Sequence, residues 1–239
     1  MRLSLCIPIY NEKANIAASV LAYKSALYDI TGGDFELIYC DDGSTDGCAD
    51  TVRGETDGHI RLTGYEKNRG KGCAVRTAIE AASGDVIIYT DCDNAYGTET
   101  IKRALDYMEE NPETDVLIGS RRLGEDGYAG YSVIRKLASE VYVRMLKLIA
   151  GFHHSDSQCG FKAFRGTAAH DIFPRCMTDG FAFDIEALLF AERLGYRIDE
   201  FPVRIINHSD ATSKIRIFKD TFRMLRDVLK IKKHIKASL

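Results

Sequence analysis

The chain repeats one pattern: a short, wholly apolar run, a polar turn, then apolar residues at helical spacing. "LSLCIPIY" (3–10) precedes "NIAASVLAYKSALYD", and "FELIYC" (35–40) runs into "DDGSTDG", where Ser44 or Thr45 is placed to cap a helix. "HIRLTGY" (59–65) leads through "EKNRGKG" to "CAVRTAIEAA", and "DVIIYT" (85–90) leads to a helix near Glu99–Glu110. "DVLIGS" (115–120) is a fifth such run. Runs that are apolar throughout belong to strands covered on both faces, and strands separated by helices pair in parallel. The pattern predicts an α/β fold with a mostly parallel central sheet and helices on both faces.

The second half is less regular. A helix is expected over 133–149, a short strand in "QCGFKAF" (158–164), and a helix in "FDIEALLFAERLG" ending at Gly195, with Glu186 and Glu192 on its surface or at its cap. "YRIDEFPVRII" (196–206) reads as a strand whose Pro202 suits an edge or bulge. His153-His154 reads as a surface loop, because adjacent side chains diverge. No repeat or linker divides the 239 residues, so one domain spans 1–213. From Lys214 onward there are nine Lys/Arg against two Asp, and residues 1–213 carry a charge of −10.

That balance argues against nucleic-acid binding by the domain and gives residues 214–239 the character of a basic helix. As a helix, Phe218, Phe222, Leu225 and Leu229 fall on one side, suited either to the domain core or to a membrane surface. Seven scattered cysteines without a C-x-x-C pair, no cleavable leader and no bilayer-length apolar run read as a reduced, cytoplasmic protein.

Three polar clusters fall at the carboxyl ends of predicted strands, where open parallel sheets bind ligands. They are Pro8–Glu12, Asp41-Asp42, and Asp91/Asp93 of "IIYTDCDNAYG". A single acidic strand end is ordinarily a helix cap. Three on one rim suggest a site where Mg²⁺ or Mn²⁺ bridges carboxylates to a phosphorylated ligand. In "NRGKG" (68–72), two glycines would let the backbone approach that ligand, and Arg69 and Lys71 would meet a pyrophosphate.

Taken in order, "PIYNE" (8–12), "DDGSTDG" (41–47), "NRGKG" (68–72), "SGDVIIYTDCD" (83–93), "GSRR" (119–122) and "DSQCGFKAF" (156–164) resemble the family 2 glycosyltransferases of the GT-A fold. The later pieces, with "SK" (213–214), look most like the dolichyl- and polyprenyl-phosphate mannosyl- and glucosyltransferases. A haloacid-dehalogenase-like phosphatase also carries D-x-D, but after its first strand.

The resemblance implies that Asp91 and Asp93 hold the cation against the donor diphosphate, which assists departure of the nucleoside diphosphate. It places Pro8, Tyr10 and Glu12 at the nucleoside, one or both of Asp41 and Asp42 at base or ribose, and Lys71 beside the donor. It assigns the acceptor phosphate to Arg121, Arg135 and Ser139, the last two one helical turn apart, with Lys214 joining them. His208 stands where some members carry a histidine near the diphosphate. Ala95 occupies a position where some carry a further metal ligand. Asp156 is either a general base for a hydroxyl acceptor or a positioning group for a phosphate acceptor.

The implied activity is inverting transfer of glucose or mannose from a UDP- or GDP-hexose to a polyprenyl phosphate, with the protein peripheral at a membrane surface. A glycan hydroxyl as acceptor, and a non-catalytic nucleotide-sugar-binding domain, are the alternatives. A separate membrane subunit and a homo-oligomer are both left open.

Overall fold

The computed structural model describes residues 1–124, 140, 143–148, 151–206 and 217–238, with side chains from 226 onward in the last stretch. Its strands are β1 (Leu3–Ile9), β2 (Phe35–Asp42), β3 (Ile60–Tyr65), β4 (Val86–Tyr89), β5 (Val116–Ser120), β6 (Lys162–Arg165) and β7 (Ile198–Pro202). The helices are α1 (Ile16–Thr31), α2 (Cys48–Gly54), α3 (Lys71–Glu80), α4 (Glu99–Glu110), α5 (Gly166–Ile172), α6 (Phe183–Leu194) and α7 (Ile217–Ser238). Residues 140 and 143–148 are also helical, within the expected 133–149.

All seven strands form one sheet in the order β3-β2-β1-β4-β6-β5-β7. Six run the same way; β6 alone is reversed, pairing antiparallel with β4 and β5. β7 is an edge strand and Pro202 is its last residue, where a missing N–H costs no ladder bond. Successive side chains alternate between two cores. Leu3, Leu5, Ile7, Leu37, Val86 and Ile88 pack with α1, α2 and α4; Cys6, Ile38, Cys40, Ile87 and Tyr89 pack with α3, α5, α6 and α7. All seven cysteines are buried and unbridged, acting as small apolar groups in these cores.

Three local expectations change. Neither Ser44 nor Thr45 caps α2: Ser44 N–H donates to Asp41 Oδ1 and Thr45 N–H to Asn11 Oδ1, while Asp46 Oδ1 takes the Cys48 N–H at the helix start. Glu186 is fully buried rather than a surface residue, because α6 is sandwiched between the sheet and the segment before it. The C-terminal helix docks through Val228, Ile231 and Ile235, all in the core, whereas Leu229 is 57% exposed. Position 228 lies one residue, roughly 100° around the helix, from Leu229, and with 231 and 235 forms the described buried stripe. Each of the three buried side chains contributes about 1.5–3 kcal/mol.

Candidate active site

Because six strands are parallel, their carboxyl ends share one rim. The β1 and β2 turns there are stitched together. Asn11, at φ 53°, donates its N–H to Ser44 Oγ at 3.0 Å, and the Lys13 N–H reaches Asp46 Oδ2 at 2.8 Å. Asn15 Nδ2 holds Glu12 Oε2 at 2.8 Å. Pro8 is half-buried, and Tyr10 is 38% exposed.

The two aspartates that end β2 have different work. Asp41 is half-buried at the rim. Asp42 is buried, and its carboxylate accepts from Asn68 Nδ2 at 2.8 Å, Arg69 N–H at 2.8 Å and Gly70 N–H at 3.0 Å. It therefore fixes the 68–70 loop. The expectation that Gly70 and Gly72 open this loop to a ligand is corrected: a Cβ at either position would collide with the backbone of Thr178 or Asp179. The glycines seat the loop on residues 178–179, and Lys71 between them projects onto the rim.

There Lys71 Nζ lies 2.5 Å from Asp91 Oδ1. Burial alone would lower its pKa, but Asp91, Asp184 and Asp93 outweigh that and raise it, so it stays an ammonium. The backbone carbonyl of Asp91 accepts from Tyr23 Oη at 2.8 Å. Its carboxylate backs onto Gly160, where any Cβ would overlap Oδ2. Asp93 Oδ1 accepts the Ala95 N–H at 3.1 Å, so Ala95 meets that aspartate through its backbone.

Beneath this layer lie residues that motif reading passed over. Lys162 is fully buried, with Nζ donating to Asp184 Oδ1 at 2.6 Å and to the Cys159 carbonyl at 2.7 Å. Tyr89 Oη also donates to Asp184 Oδ1. Tyr96 Oη accepts the Gly160 N–H at 2.9 Å. A lysine flanked by Phe161, Ala163 and Phe164 was the available sequence signal.

The reversed β6 explains how Asp156 arrives. The segment preceding a strand that runs backward lies at the same rim where the parallel strands end. Arg121, just past β5, meets Asp156 there with Nε to Oδ2 at 2.7 Å, Nη2 to Oδ1 at 2.8 Å and its backbone N–H to Oδ2 at 3.1 Å. Burial pushes the Asp156 carboxyl up, but the bidentate guanidinium and backbone bond prevail and hold it below the usual carboxylate range. Arg122 pairs with Glu140 at 3.3 Å. His154 pairs with Glu192 at 3.3 Å, so Glu192 is tied to the 153–154 loop. Arg135, Ser139, His208 and Lys214 lie outside the described residues.

Among the described residues no group of three or more His, Cys, Asp and Glu is placed to hold a metal ion. Asp91 and Asp93 nonetheless offer hard oxygen donors at an accessible rim. Mg²⁺ and Mn²⁺ are ordinarily held by one or two carboxylates plus ligand phosphates, so this donor set fits a cation shared with a bound diphosphate.

The model of the family described as "Glycosyl transferase family 2" matches residues 4–173. The chain is 29% identical over 249 residues to a dolichyl-phosphate beta-glucosyltransferase of Saccharomyces cerevisiae, covering 96% of this chain and 74% of that one. It is 30% identical over 244 residues to the Drosophila melanogaster protein of the same description, covering 97% and 74%. Among solved structures, glucosyl-3-phosphoglycerate synthase from Mycobacterium tuberculosis, in complex with Mn²⁺, UDP and phosphoglyceric acid, superposes with a TM-score of 0.69. It is 18% identical, with 96% of this chain and 76% of that chain covered, which establishes the shared GT-A fold.

Proposed function

This chain belongs to glycosyl transferase family 2, and from that premise we propose that it transfers a hexose from a nucleoside diphosphate sugar to a polyprenyl phosphate, with inversion at the anomeric carbon. Glucose from UDP-glucose is the first donor to test, because the similar curated proteins are beta-glucosyltransferases; GDP-mannose is the second. An acceptor phosphate oxygen attacks the anomeric carbon as the bond to the diphosphate breaks. The bonding pair leaves with the nucleoside diphosphate.

Pro8, Tyr10, Glu12 and Asp41 hold the nucleoside, with Asp42 acting through the loop that it fixes. Asp91 and Asp93 hold Mg²⁺ or Mn²⁺, which when bound neutralises charge growing on the leaving diphosphate. Lys71 adds a fixed positive charge to the same oxygens. Arg135, Ser139 and Lys214 hold the acceptor phosphate alongside Arg121. The catalytic domain spans 1–213, with the helix of the basic segment 214–239 completing its core, and the exposed lysines of that segment keep the protein peripheral at the membrane surface. None of the described helices is long and apolar enough to cross a bilayer.

The observation that carries the acceptor assignment is the Arg121–Asp156 pair. A hydroxyl acceptor needs a base whose pKa lies near the working pH, and a carboxylate gripped by a buried guanidinium is too weak. A phosphate monoester, with a second pKa of about 6, is already ionised and needs only orientation.

The test is incubation with Mn²⁺, a short-chain polyprenyl phosphate and a panel of radiolabelled sugar nucleotides. Label is expected in the lipid fraction, lost with EDTA, in a β-linked product. Label passing only to a glycan hydroxyl, or nucleotide-sugar binding without turnover, would favour the alternatives.

A further inference from the structure

Residues 176–182 form a strap between the short 3₁₀ turn Phe173–Arg175 and α6. Buried Cys176 and Ala182 anchor its ends, while Met177 and Phe181 face solvent. Its middle is fixed from below by Glu186. That side chain is fully buried, and Oε2 accepts the Met177 N–H at 3.1 Å and the Thr178 N–H at 2.7 Å. Among the described residues its other oxygen, Oε1, is buried without a partner. A buried carboxylate oxygen without a described partner lowers stability, so a glutamate at this place calls for an explanation beyond packing.

The strap in turn grips the start of α3 at three places. The Asp179 carbonyl accepts the Gly72 N–H at 2.8 Å, satisfying one of the donors that a helix leaves open in its first turn. The Thr178 and Asp179 backbone lies against Gly70 and Gly72 so closely that neither tolerates a Cβ. Asp179 Oδ1 pairs with Arg76 Nη2 at 2.5 Å, one turn further along α3. Lys71 lies between the two glycines, and its ammonium meets Asp91. The route from Glu186 to the rim is therefore Glu186, strap backbone, glycine-flanked helix start, Lys71.

We propose that Glu186 and Asp179 are positioning residues that act through the strap to hold Lys71 beside Asp91, and so set the affinity of the site for the donor's diphosphate. The inference rests on the proposed use of a nucleoside diphosphate donor, and it is tested on binding rather than transfer. UDP affinity in the presence of Mn²⁺ is measured by calorimetry on the full chain and on variants. Glu186→Leu is expected to weaken UDP binding about tenfold, and Glu186→Gln, which keeps an acceptor oxygen for the two strap amides, to restore it. In a Lys71→Met background the same Glu186→Leu change is expected to cost no more than about twofold, because two residues that act through one contact are not additive.

A purely structural glutamate would lower the thermal midpoint and weaken binding by the same factor in both backgrounds. That result overturns the proposal, as does unchanged affinity in Glu186→Leu. If Glu186→Leu does not fold, Asp179→Ala in the same two backgrounds makes the same comparison. Wild-type protein that binds neither UDP nor GDP overturns the donor assignment and the strap's role with it; intact wild-type binding with additive losses overturns the strap alone.

Discussion

Lys71 Nζ stands 2.5 Å from Asp91 Oδ1, so the site already holds one positive charge against the carboxylate assigned to the metal. The pair divides the work of neutralising a diphosphate between a fixed ammonium and an exchangeable cation. Lys71→Met is expected to weaken nucleoside diphosphate binding by about 1.5–3 kcal/mol, the value of a charge-assisted contact. It is expected to tighten binding of Mn²⁺ alone, since Asp91 loses a competitor. Titration of free Mn²⁺ by electron paramagnetic resonance checks the second half; weaker Mn²⁺ binding in the variant would contradict it.

Asp93→Asn is expected to lower transfer by about 100–1,000-fold, the usual cost of removing one group that stabilises transition-state charge. Its fold should persist, because relieving one charge on a crowded acidic rim does not disturb packing. Gly160→Ala should act on the other aspartate, since the new methyl must displace the Asp91 carboxylate. A shift near 1 Å at a reacting centre costs about 100-fold in rate. Circular dichroism and initial rates check both variants, and near-normal EDTA-sensitive turnover in either would remove that aspartate from the metal site.

The Asp156 pair makes a pH prediction with a definite sign. Its folded pKa is depressed, so the stability it contributes is fully present above the unfolded value of about 3.9 and is lost as pH falls through the folded value. Denaturant midpoints should be flat with respect to this group above about pH 5 and fall below about pH 4. Arg121→Met leaves a buried carboxylate unpaired, which costs about 3–5 kcal/mol and moves the acid transition upward in pH. An unchanged acid midpoint in the variant would show that the pair does not hold Asp156 ionised.

Arg135→Ala is expected to raise the KM for polyprenyl phosphate while leaving nucleotide-sugar affinity intact. Loss of a charge-assisted phosphate contact is worth about 1.5–3 kcal/mol. Equal losses for donor and acceptor, measured separately, would contradict the acceptor assignment.

The docked C-terminal helix changes how membrane binding has to be tested. Truncation before Lys214 would strip Val228, Ile231 and Ile235 from the core, and Ile231→Ala alone should cost about 2–5 kcal/mol in urea denaturation. Charge reversal is cleaner: Lys230, Lys232, Lys233 and Lys236 are exposed on the docked helix. Each basic residue near an anionic surface is worth about 1 kcal/mol, so Lys230→Glu with Lys233→Glu should abolish salt-sensitive sedimentation with anionic liposomes. Equal sedimentation of wild type and the double variant would assign these charges to solvent.

Much of the site was legible because its chemistry is local in sequence. Asp91 and Asp93 are two residues apart after an apolar run, and strand direction puts such residues on one rim whatever the loops do. Asp41 and Asp42 looked equivalent, however, since adjacency says nothing about which carboxylate turns inward. The contacts of Asn68, Arg69 and Gly70 made Asp42 a loop anchor. Glu186 looked like a surface glutamate because a helical pattern does not reveal a strap laid across its first turn. Lys162 looked like part of a motif, with nothing to announce Asp184 as its partner 22 residues away.

The sequence by itself determined the parallel α/β sheet, the rim at its carboxyl ends, the acidic pair after β4 and the Arg-rich end of β5. Each follows from the order and period of residues along one segment, where backbone geometry alone fixes direction. Only the tertiary structure decided the reversed β6 that brings Asp156 to Arg121, the seating of Gly70 and Gly72 on Thr178 and Asp179, and the face by which α7 docks. Those depend on which distant surfaces meet, and the free energy of such a contact is shared between residues far apart in the chain.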